Sequence, residues 1–231
     1  MSKASAKEVL VASSAIERIA LFAKPPIVGQ TKSRLAADVG DQAAADLSAA
    51  MLADLLAQCQ ALQARRPTVQ VELWYPPGFS PDDFPGTVRP DIFRTQQGDD
   101  LGDRLIHAFA TGLTDSARMI VIGSDCITIS AELLEQALDS LADAPSVFQP
   151  ADDGGYVLVG LNQPAPELFR NIPWGGKQVW AATQAAATHT SAVLPHTFDI
   201  DTVDDLPRLR SFLEHTERPR TTAILASRLY D

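Results

Sequence analysis

Segments with strand-like and helix-like patterns alternate through the first 145 residues of the chain. The run Met119-Ile-Val-Ile122 is apolar on both faces, as in a central strand of a parallel sheet. Apolar residues recur at three- and four-residue spacing over residues 39–64, which predicts a long amphipathic helix. Further strands are expected at 18–23, 69–75, 92–96 and 118–123, and further helices at 101–113 and 130–142. This alternation predicts an α/β fold with a mostly parallel sheet.

The stretch 146–200 is richer in strands and loops. Strand candidates at 146–150 and 156–161 flank a turn-forming segment, Ala151-Asp-Asp-Gly-Gly155. We interpret this stretch as a smaller part built onto the same sheet. No repeat or linker divides the chain, so residues 16–231 are predicted to form one domain. Residues 1–15, mostly Ala, Ser, Lys and Glu, are predicted to be a flexible leader.

Composition and charge restrict the partners of the chain. Its 231 residues carry a formal net charge of -10, and no tract rich in Lys or Arg offers a surface for a nucleic-acid backbone. No apolar run approaches the ~20 residues of a membrane span. Cys59 and Cys126 lack metal-binding spacing, which is typical of reduced thiols in a cytoplasmic protein. We therefore expect a cytoplasmic protein with a small anionic ligand.

A cationic loop follows the first predicted strand. Lys24, Lys32 and Arg34 supply positive charge, and Gly29 lets the backbone approach a ligand closely. The loop matches neither the Walker P-loop nor the GxGxxG pattern of dinucleotide-binding proteins. From the pattern alone, a phosphate-binding loop and a solvated loop with ordinary surface cations are equally acceptable interpretations.

Two acidic positions are candidates for a metal site. Asp125 comes just after the central predicted strand, where an acid can hold Mg²⁺ or Mn²⁺. Asp199 and Asp201 stand in a later acidic cluster, and either is a candidate for the second ligand. Helix capping is the structural alternative for this cluster. Ligands of open α/β sheets bind beyond the carboxyl ends of the strands, so we expect the cationic loop and Asp125 in one cleft.

Two glycine-containing turns complete the candidate residues. Asp153 lies in the turn between two predicted strands, where it could accept a hydrogen bond from a substrate hydroxyl or act as a base. Gly98 lies in a turn that leads into a helix, and its neighbourhood could present N–H groups to a nucleotide. Arg104 in that helix could pair with an acid or a phosphate.

Five motifs in order give the chain a resemblance to a known family. They are FAKPPIVGQTKSRL, QGDDLGDR, VIGSDC, PADDGGYVLVGL and DIDTVDDL. They resemble transferases of the glycosyltransferase-A fold that were first described as a domain of unknown function. Some of these are known as radical-SAM- or selenodomain-associated proteins or as arsenosugar-biosynthesis glycosyltransferases. The resemblance covers about residues 19–210 and implies a single-domain, Rossmann-like nucleotide-diphospho-sugar transferase fold with helices on both faces of the sheet.

The resemblance also implies roles for particular residues. Lys24, Gly29, Lys32 and Arg34 would bind the nucleotide, and Asp125 would hold the metal together with Asp201 or Asp199. The acceptor side would include the segment Asp153-Gly154-Gly155-Tyr156 and Trp174. The family usually has Lys-Thr-Arg where this chain has Lys32-Ser33-Arg34, and Trp-Ser-Thr where it has Trp174-Gly175-Gly176.

The expected activity is metal-dependent transfer of a sugar from a nucleotide-sugar to a small acceptor. Mg²⁺ or Mn²⁺ would be the cofactor. Two alternatives remain open at this point. One is nucleotidyl transfer, which would release pyrophosphate from a nucleoside triphosphate. The other is a degenerate module that binds a nucleotide without turnover.

Overall fold

The computed structural model describes residues 16–229 of the chain. The predicted leader, residues 1–15, lies outside the described residues. Seven strands form one sheet in the order β3-β2-β1-β4-β6-β5-β7. Their bounds are Glu17–Phe22 (β1), Val69–Tyr75 (β2), Ile92–Thr95 (β3), Arg118–Gly123 (β4), Ser146–Pro150 (β5), Tyr156–Leu161 (β6) and Ala192–Val193 (β7).

The sheet is mostly parallel, as the sequence predicts. Neighbouring strands among β1 to β4 pair in parallel, and β5 pairs in parallel with β7. Only β6 runs against its neighbours β4 and β5. The carboxyl ends of β1, β2, β3 and β4 therefore meet at one edge of the sheet, which is where α/β proteins build their ligand sites.

Helices cover the sheet. Their bounds are Ser33–Val39 (α1), Asp41–Arg65 (α2), Leu101–Gly112 (α3), Ala131–Ser140 (α4), Val179–Ala186 (α5), Leu206–Leu213 (α6) and Pro219–Arg228 (α7). The predicted helix at 39–64 is correct except at its start. Gly40, at a φ of 84°, separates α2 from a short α1 that the sequence pattern did not predict.

Apolar side chains fill both faces of the sheet. On one face, α2 and α4 pack against strand residues such as Ile19, Val71 and Ile120. On the other face, α3 and the segment around Phe169 pack against Ala20, Trp74 and Val121. Because alternate residues of one strand point to opposite faces, β1 serves both cores. No helix among residues 16–229 has the length and apolar character needed to cross a membrane.

A buried carboxylate attaches α7 to α2. Asp54 in α2 is 1% exposed, and its oxygens accept hydrogen bonds from the backbone N–H and the hydroxyl of Thr221, both at 2.8 Å. Arg220 also donates to Asp54, from its backbone N–H and its guanidinium. The acid thus satisfies free N–H groups in the first turn of α7.

Replacing Asp54 by alanine should destabilise the protein by about 2–3 kcal/mol, because buried donors of α7 would lose a charged acceptor. Urea unfolding followed by circular dichroism measures the change. Asp139→Ala is the control, because Asp139 is 64% exposed in its ion pair with Arg66. That variant should change the free energy of unfolding by at most about 1 kcal/mol. Equal effects of the two substitutions would contradict the assigned role of Asp54.

Candidate active site

A cleft of about 670 Å³ opens at the carboxyl ends of β1, β2, β3 and β4. Its lining residues are of three kinds. The apolar part consists of Pro76, Pro77, Phe79 and Leu101, the cationic part of Lys24, Arg34 and Arg104, and the acidic part of Asp125 and Asp201. The residues that line it include Phe22, Lys24, Thr31, Lys32, Arg34, Ser48, Pro76, Pro77, Phe79, Gln96, Leu101, Arg104, Ser124, Asp125 and Asp201. The cationic loop and Asp125 therefore share one cleft, as the strand order predicts.

The loop after β1 places two cations along the cleft. Lys24 is exposed, and its Nζ lies 3.4 Å from the carbonyl oxygen of Gln30. Arg34 lies in the first turn of α1, and its side chain is 75% exposed. Gly29 has a φ of 76°, a conformation in which a side chain would be strained. Gly29 therefore shapes the loop and, unlike the two cations, does not line the cleft.

Lys32 joins three segments of the chain. Its backbone is left-handed, with a φ of 45°, and its side chain is only 4% exposed. The Nζ atom donates to Asp125 Oδ1 at 2.5 Å and to the carbonyl oxygen of Ile200 at 2.6 Å. The ammonium group of Lys32 is thus already bound to two oxygens of the protein, those of Asp125 and Ile200.

The two predicted acidic positions lie side by side. The backbone N–H of Ile200 donates to the carbonyl oxygen of Asp125 at 3.1 Å, which ties the segment 199–201 to the end of β4. Arg34 contacts Asp201 Oδ2 at 2.7 Å. Asp205 accepts from the backbone N–H groups of Asp201 and Thr202, so helix capping accounts for Asp205 and leaves the carboxylates of Asp199 and Asp201 for other contacts.

Negative charge accumulates around Asp199, which lies next to the cleft acids Asp125 and Asp201 but does not itself line the cleft. Burial, followed by the charges of Asp153, Asp125 and Asp201, raises the pKa of Asp199. Carboxylate oxygens are donors that Mg²⁺ and Mn²⁺ accept, so the residues are chemically suited to a divalent ion. Within residues 16–229, however, no three acidic, histidine or cysteine side chains are already placed around a common metal position. Asp125 is paired with Lys32, and Asp201 with Arg34.

The predicted acceptor-side residues lie outside the wall of the cleft. Asp153 is exposed, accepts from the N–H of Gly155 at 2.8 Å, and is close enough to Asp199 to act on it electrostatically. Gly154 has a φ of 90°, and a Cβ there would lie 2.1 Å from the carbonyl oxygen of Lys177. Tyr156 packs edge-on against Trp174, with ring centroids 6.3 Å apart. Asp153 thus lies near Asp199, whereas Tyr156 and Trp174 belong to a packed aromatic cluster.

The second glycine turn supports one wall of the cleft. Gly98 has a φ of 131°, and a Cβ there would lie 2.5 Å from Asp103 Cβ, so glycine is required. The turn leads into α3, whose N-cap Asp100 accepts from the N–H of Asp103. Arg104 Nε donates to the carbonyl oxygen of Gly98 at 3.2 Å while the side chain lines the cleft.

Sequence reasoning missed several polar residues of the cleft. Gln96, Thr31 and Ser48 are buried polar residues that line it, and Gln96 is the most deeply buried of the three. Gln96 could have been recognised as a site residue from its position at the end of the strand predicted at 92–96, because ligands bind at the carboxyl ends of such strands. Nothing in the local pattern distinguishes Ser48 from the other polar residues of α2.

Residues 59–176 match the family of uncharacterized proteins conserved in bacteria, DUF2064. The chain is 32% identical to a proposed nucleotide-diphospho-sugar transferase from Desulfovibrio desulfuricans G20, with a TM-score of 0.82 over 91% of this chain and 94% of that one. No curated protein matches the sequence.

More distant structures share the fold alone. The 4-diphosphocytidyl-2C-methyl-D-erythritol synthase of Anaerococcus prevotii DSM 20548 has a TM-score of 0.58 and 10% identity, over 87% of this chain and all of that one (100%). Rv0371c of Mycobacterium tuberculosis H37Rv, in complex with manganese, has a TM-score of 0.51 and 17% identity, over 84% and 97%. The chain therefore belongs to the DUF2064 family and has the fold of the nucleotide-diphospho-sugar transferases.

Proposed function

We propose that the protein is a metal-dependent glycosyltransferase that moves a sugar from a nucleotide-diphospho-sugar to a small acceptor. The observation that carries the proposal is the single cleft in which exposed cations face a cluster of acids at the end of a central strand. A nucleoside diphosphate has an aromatic base with apolar faces and a diphosphate with a dense negative charge. The cleft offers a complementary surface to both.

The diphosphate would bind to the cationic part of the cleft. Lys24, Arg34 and Arg104 all line it and would pair with phosphate oxygens. These cations would also stabilise the charge that develops on the nucleoside diphosphate as it leaves. Lys32, already bonded to Asp125, would hold that carboxylate in place at the end of β4.

Asp125, with Asp201 or Asp199, would hold Mg²⁺ or Mn²⁺, which when bound supplies Lewis-acid stabilisation of the leaving diphosphate. Burial first, and the charges of Asp153, Asp125 and Asp201 after it, raise the pKa of Asp199, and a bound cation would offset the negative charge of these neighbours. Asp153 would orient the acceptor hydroxyl or take its proton. Gly154 and Gly155 would shape the turn that carries Asp153, and Tyr156 and Trp174 would support the acceptor side from behind it.

Nucleotidyl transfer is a second candidate, because the same fold occurs in the diphosphocytidyl-methylerythritol synthase. The two reactions differ in what is consumed. A nucleotidyltransferase releases pyrophosphate from a nucleoside triphosphate, whereas a glycosyltransferase consumes a nucleotide-sugar.

Thermal unfolding in the presence of candidate ligands tests the proposal. A ligand at about 100 times its Kd should add about 2.7 kcal/mol of stability. We expect stabilisation by one nucleotide-sugar that depends on Mn²⁺ or Mg²⁺. The double variant Lys24→Gln, Arg34→Gln should lose it. Arg208→Gln is the control and should retain it, because Arg208 pairs with Asp152 outside the cleft.

A response to triphosphates alone, with pyrophosphate release, would favour nucleotidyl transfer. Binding of a nucleotide-sugar without consumption in the presence of any acceptor would indicate a binding module. An absence of stabilisation across the whole panel would contradict the proposal.

A further inference from the structure

Gln96 is held by the sheet in the lining of the cleft. Gln96 directly follows β3, and its backbone N–H donates to the carbonyl oxygen of Tyr75 at 2.8 Å, which continues the pairing of β3 with β2. The residue is 5% exposed and lines the cleft. Its position is therefore set by the sheet and not by a loop.

The orientation of the Gln96 side chain is forced by its partner. Nε2 donates to the carbonyl oxygen of Trp74 at 2.8 Å in a buried environment. A carbonyl oxygen only accepts hydrogen bonds, so the amide nitrogen must face Trp74 and the amide oxygen must face away from it. Among residues 16–229, Oε1 of Gln96 has no hydrogen-bond partner, and it is not sealed from solvent. Gln96 thus offers the cleft one fixed acceptor.

The surroundings of this acceptor suit a flat, aromatic ligand with a polar edge. Pro76, Pro77, Phe79 and Leu101 line the same cleft as Gln96, and Leu101 is 43% exposed although it is a large apolar residue. Ligand sites of this kind combine apolar walls with a few well-placed polar atoms. A nucleobase presents apolar faces together with N–H donors on its edge.

We propose that Gln96 reads the nucleobase of the donor, with Oε1 accepting a hydrogen bond from an N–H on the Watson–Crick edge of the base. This inference rests on the proposed function, because it assigns the base of the nucleotide whose phosphates lie among Lys24, Arg34 and Arg104. It adds a specificity-determining residue to a site otherwise defined by charge.

The competing explanation is that Gln96 only ties the ends of β2 and β3 together through the carbonyl of Trp74. The two roles differ in what they do to different ligands. A base contact affects nucleoside diphosphates and leaves inorganic pyrophosphate unchanged, because pyrophosphate has no base. A purely structural role affects both ligands, or neither.

The experiment is isothermal titration calorimetry of UDP, CDP, GDP, ADP and inorganic pyrophosphate, each with Mg²⁺, against wild type and Gln96→Leu. We expect wild type to prefer one nucleoside diphosphate, and Gln96→Leu to weaken its binding about 10-fold, with the Kd of pyrophosphate changed by less than about 2-fold. Gln60→Leu is the matched control. Gln60 also donates its amide to a backbone carbonyl, that of Arg89, but is exposed and outside the cleft. It should leave every Kd unchanged.

A second measurement needs no substitution in the protein. The preferred nucleoside diphosphate, methylated on the donor nitrogen of its Watson–Crick edge, should bind wild type about 10-fold more weakly than the natural ligand. This arm remains decisive if Gln96→Leu fails to fold.

The inference alone is overturned if nucleoside diphosphates bind tightly but the methylated analogue binds as well as its parent. It is also overturned if Gln96→Leu weakens pyrophosphate as much as the nucleotide. If neither pyrophosphate nor any nucleoside diphosphate binds wild type, the proposed function fails and this inference fails with it.

Discussion

Replacing Asp125 by asparagine is expected to lower the rate of sugar transfer about 100-fold or more, equivalent to about 2.7 kcal/mol of transition-state stabilisation. Asparagine keeps the size of the side chain but removes the negative charge that faces Lys32 and the metal position. The carboxylate of Asp125 is 57% exposed, and Lys32 keeps the carbonyl oxygen of Ile200 as a partner, so the substitution should leave the fold intact. The measurement is the initial rate of consumption of the nucleotide-sugar found by thermal unfolding, at saturating Mn²⁺.

Asp152→Asn is the matched control for this prediction. Asp152 is another exposed acid, half exposed in its ion pair with Arg208, and it does not line the cleft. Its replacement should change the rate by no more than about 2-fold, since surface ion pairs contribute little. Full turnover by Asp125→Asn would remove Asp125 from the catalytic residues and, with it, the proposed metal site.

Replacing Glu72 by alanine is expected to destabilise the protein by about 3–5 kcal/mol, the usual cost of removing one partner from a buried ion pair. Glu72 is fully buried in β2 and accepts from Arg18 Nε at 2.9 Å, from Arg94 Nε at 2.9 Å and from Trp74 Nε1 at 2.8 Å. Without the carboxylate, Arg18, only 4% exposed, keeps Asp115 and the Gly112 carbonyl but loses its buried counter-charge.

Urea unfolding measures this change, with Glu135→Ala as the control. Glu135 is 41% exposed in its ion pair with Arg65, so its loss should cost at most about 1 kcal/mol. A free energy of unfolding for Glu72→Ala within about 1 kcal/mol of wild type would mean that water or Asp115 compensates Arg18 fully. In that case the buried network would not contribute to the stability of the sheet.

The strands were predictable because their signal is local. Bounds of four strands, Val69–Tyr75, Arg118–Gly123, Ser146–Pro150 and Tyr156–Leu161, agree with the sequence pattern residue by residue. Each consists of apolar or alternating residues between turn-forming residues, and such patterns need no distant partner. The helix α7 was missed because its apolar stripe is short and its docking depends on Asp54, more than 160 residues away.

The cationic loop and Asp125 could be assigned to one cleft from a topological rule. Parallel strands carry their ligand sites at their carboxyl ends, so the loop after β1 and the acid after β4 were expected in one cleft. The sequence therefore predicted one cleft that contains Lys24, Arg34 and Asp125, and all three residues line the cleft of the structure. The roles of these residues in catalysis stay predictions.

By itself, the sequence determined the α/β class, the mostly parallel sheet and the family, because periodic patterns and ordered motifs are properties of neighbouring residues. Which groups face one another depends on the tertiary structure. It directs Lys32 at Asp125 and Ile200, and it fixes the amide of Gln96 against Trp74. These contacts join residues separated by 22 to 168 positions, and the direction of a single side chain depends on partners that local patterns do not encode.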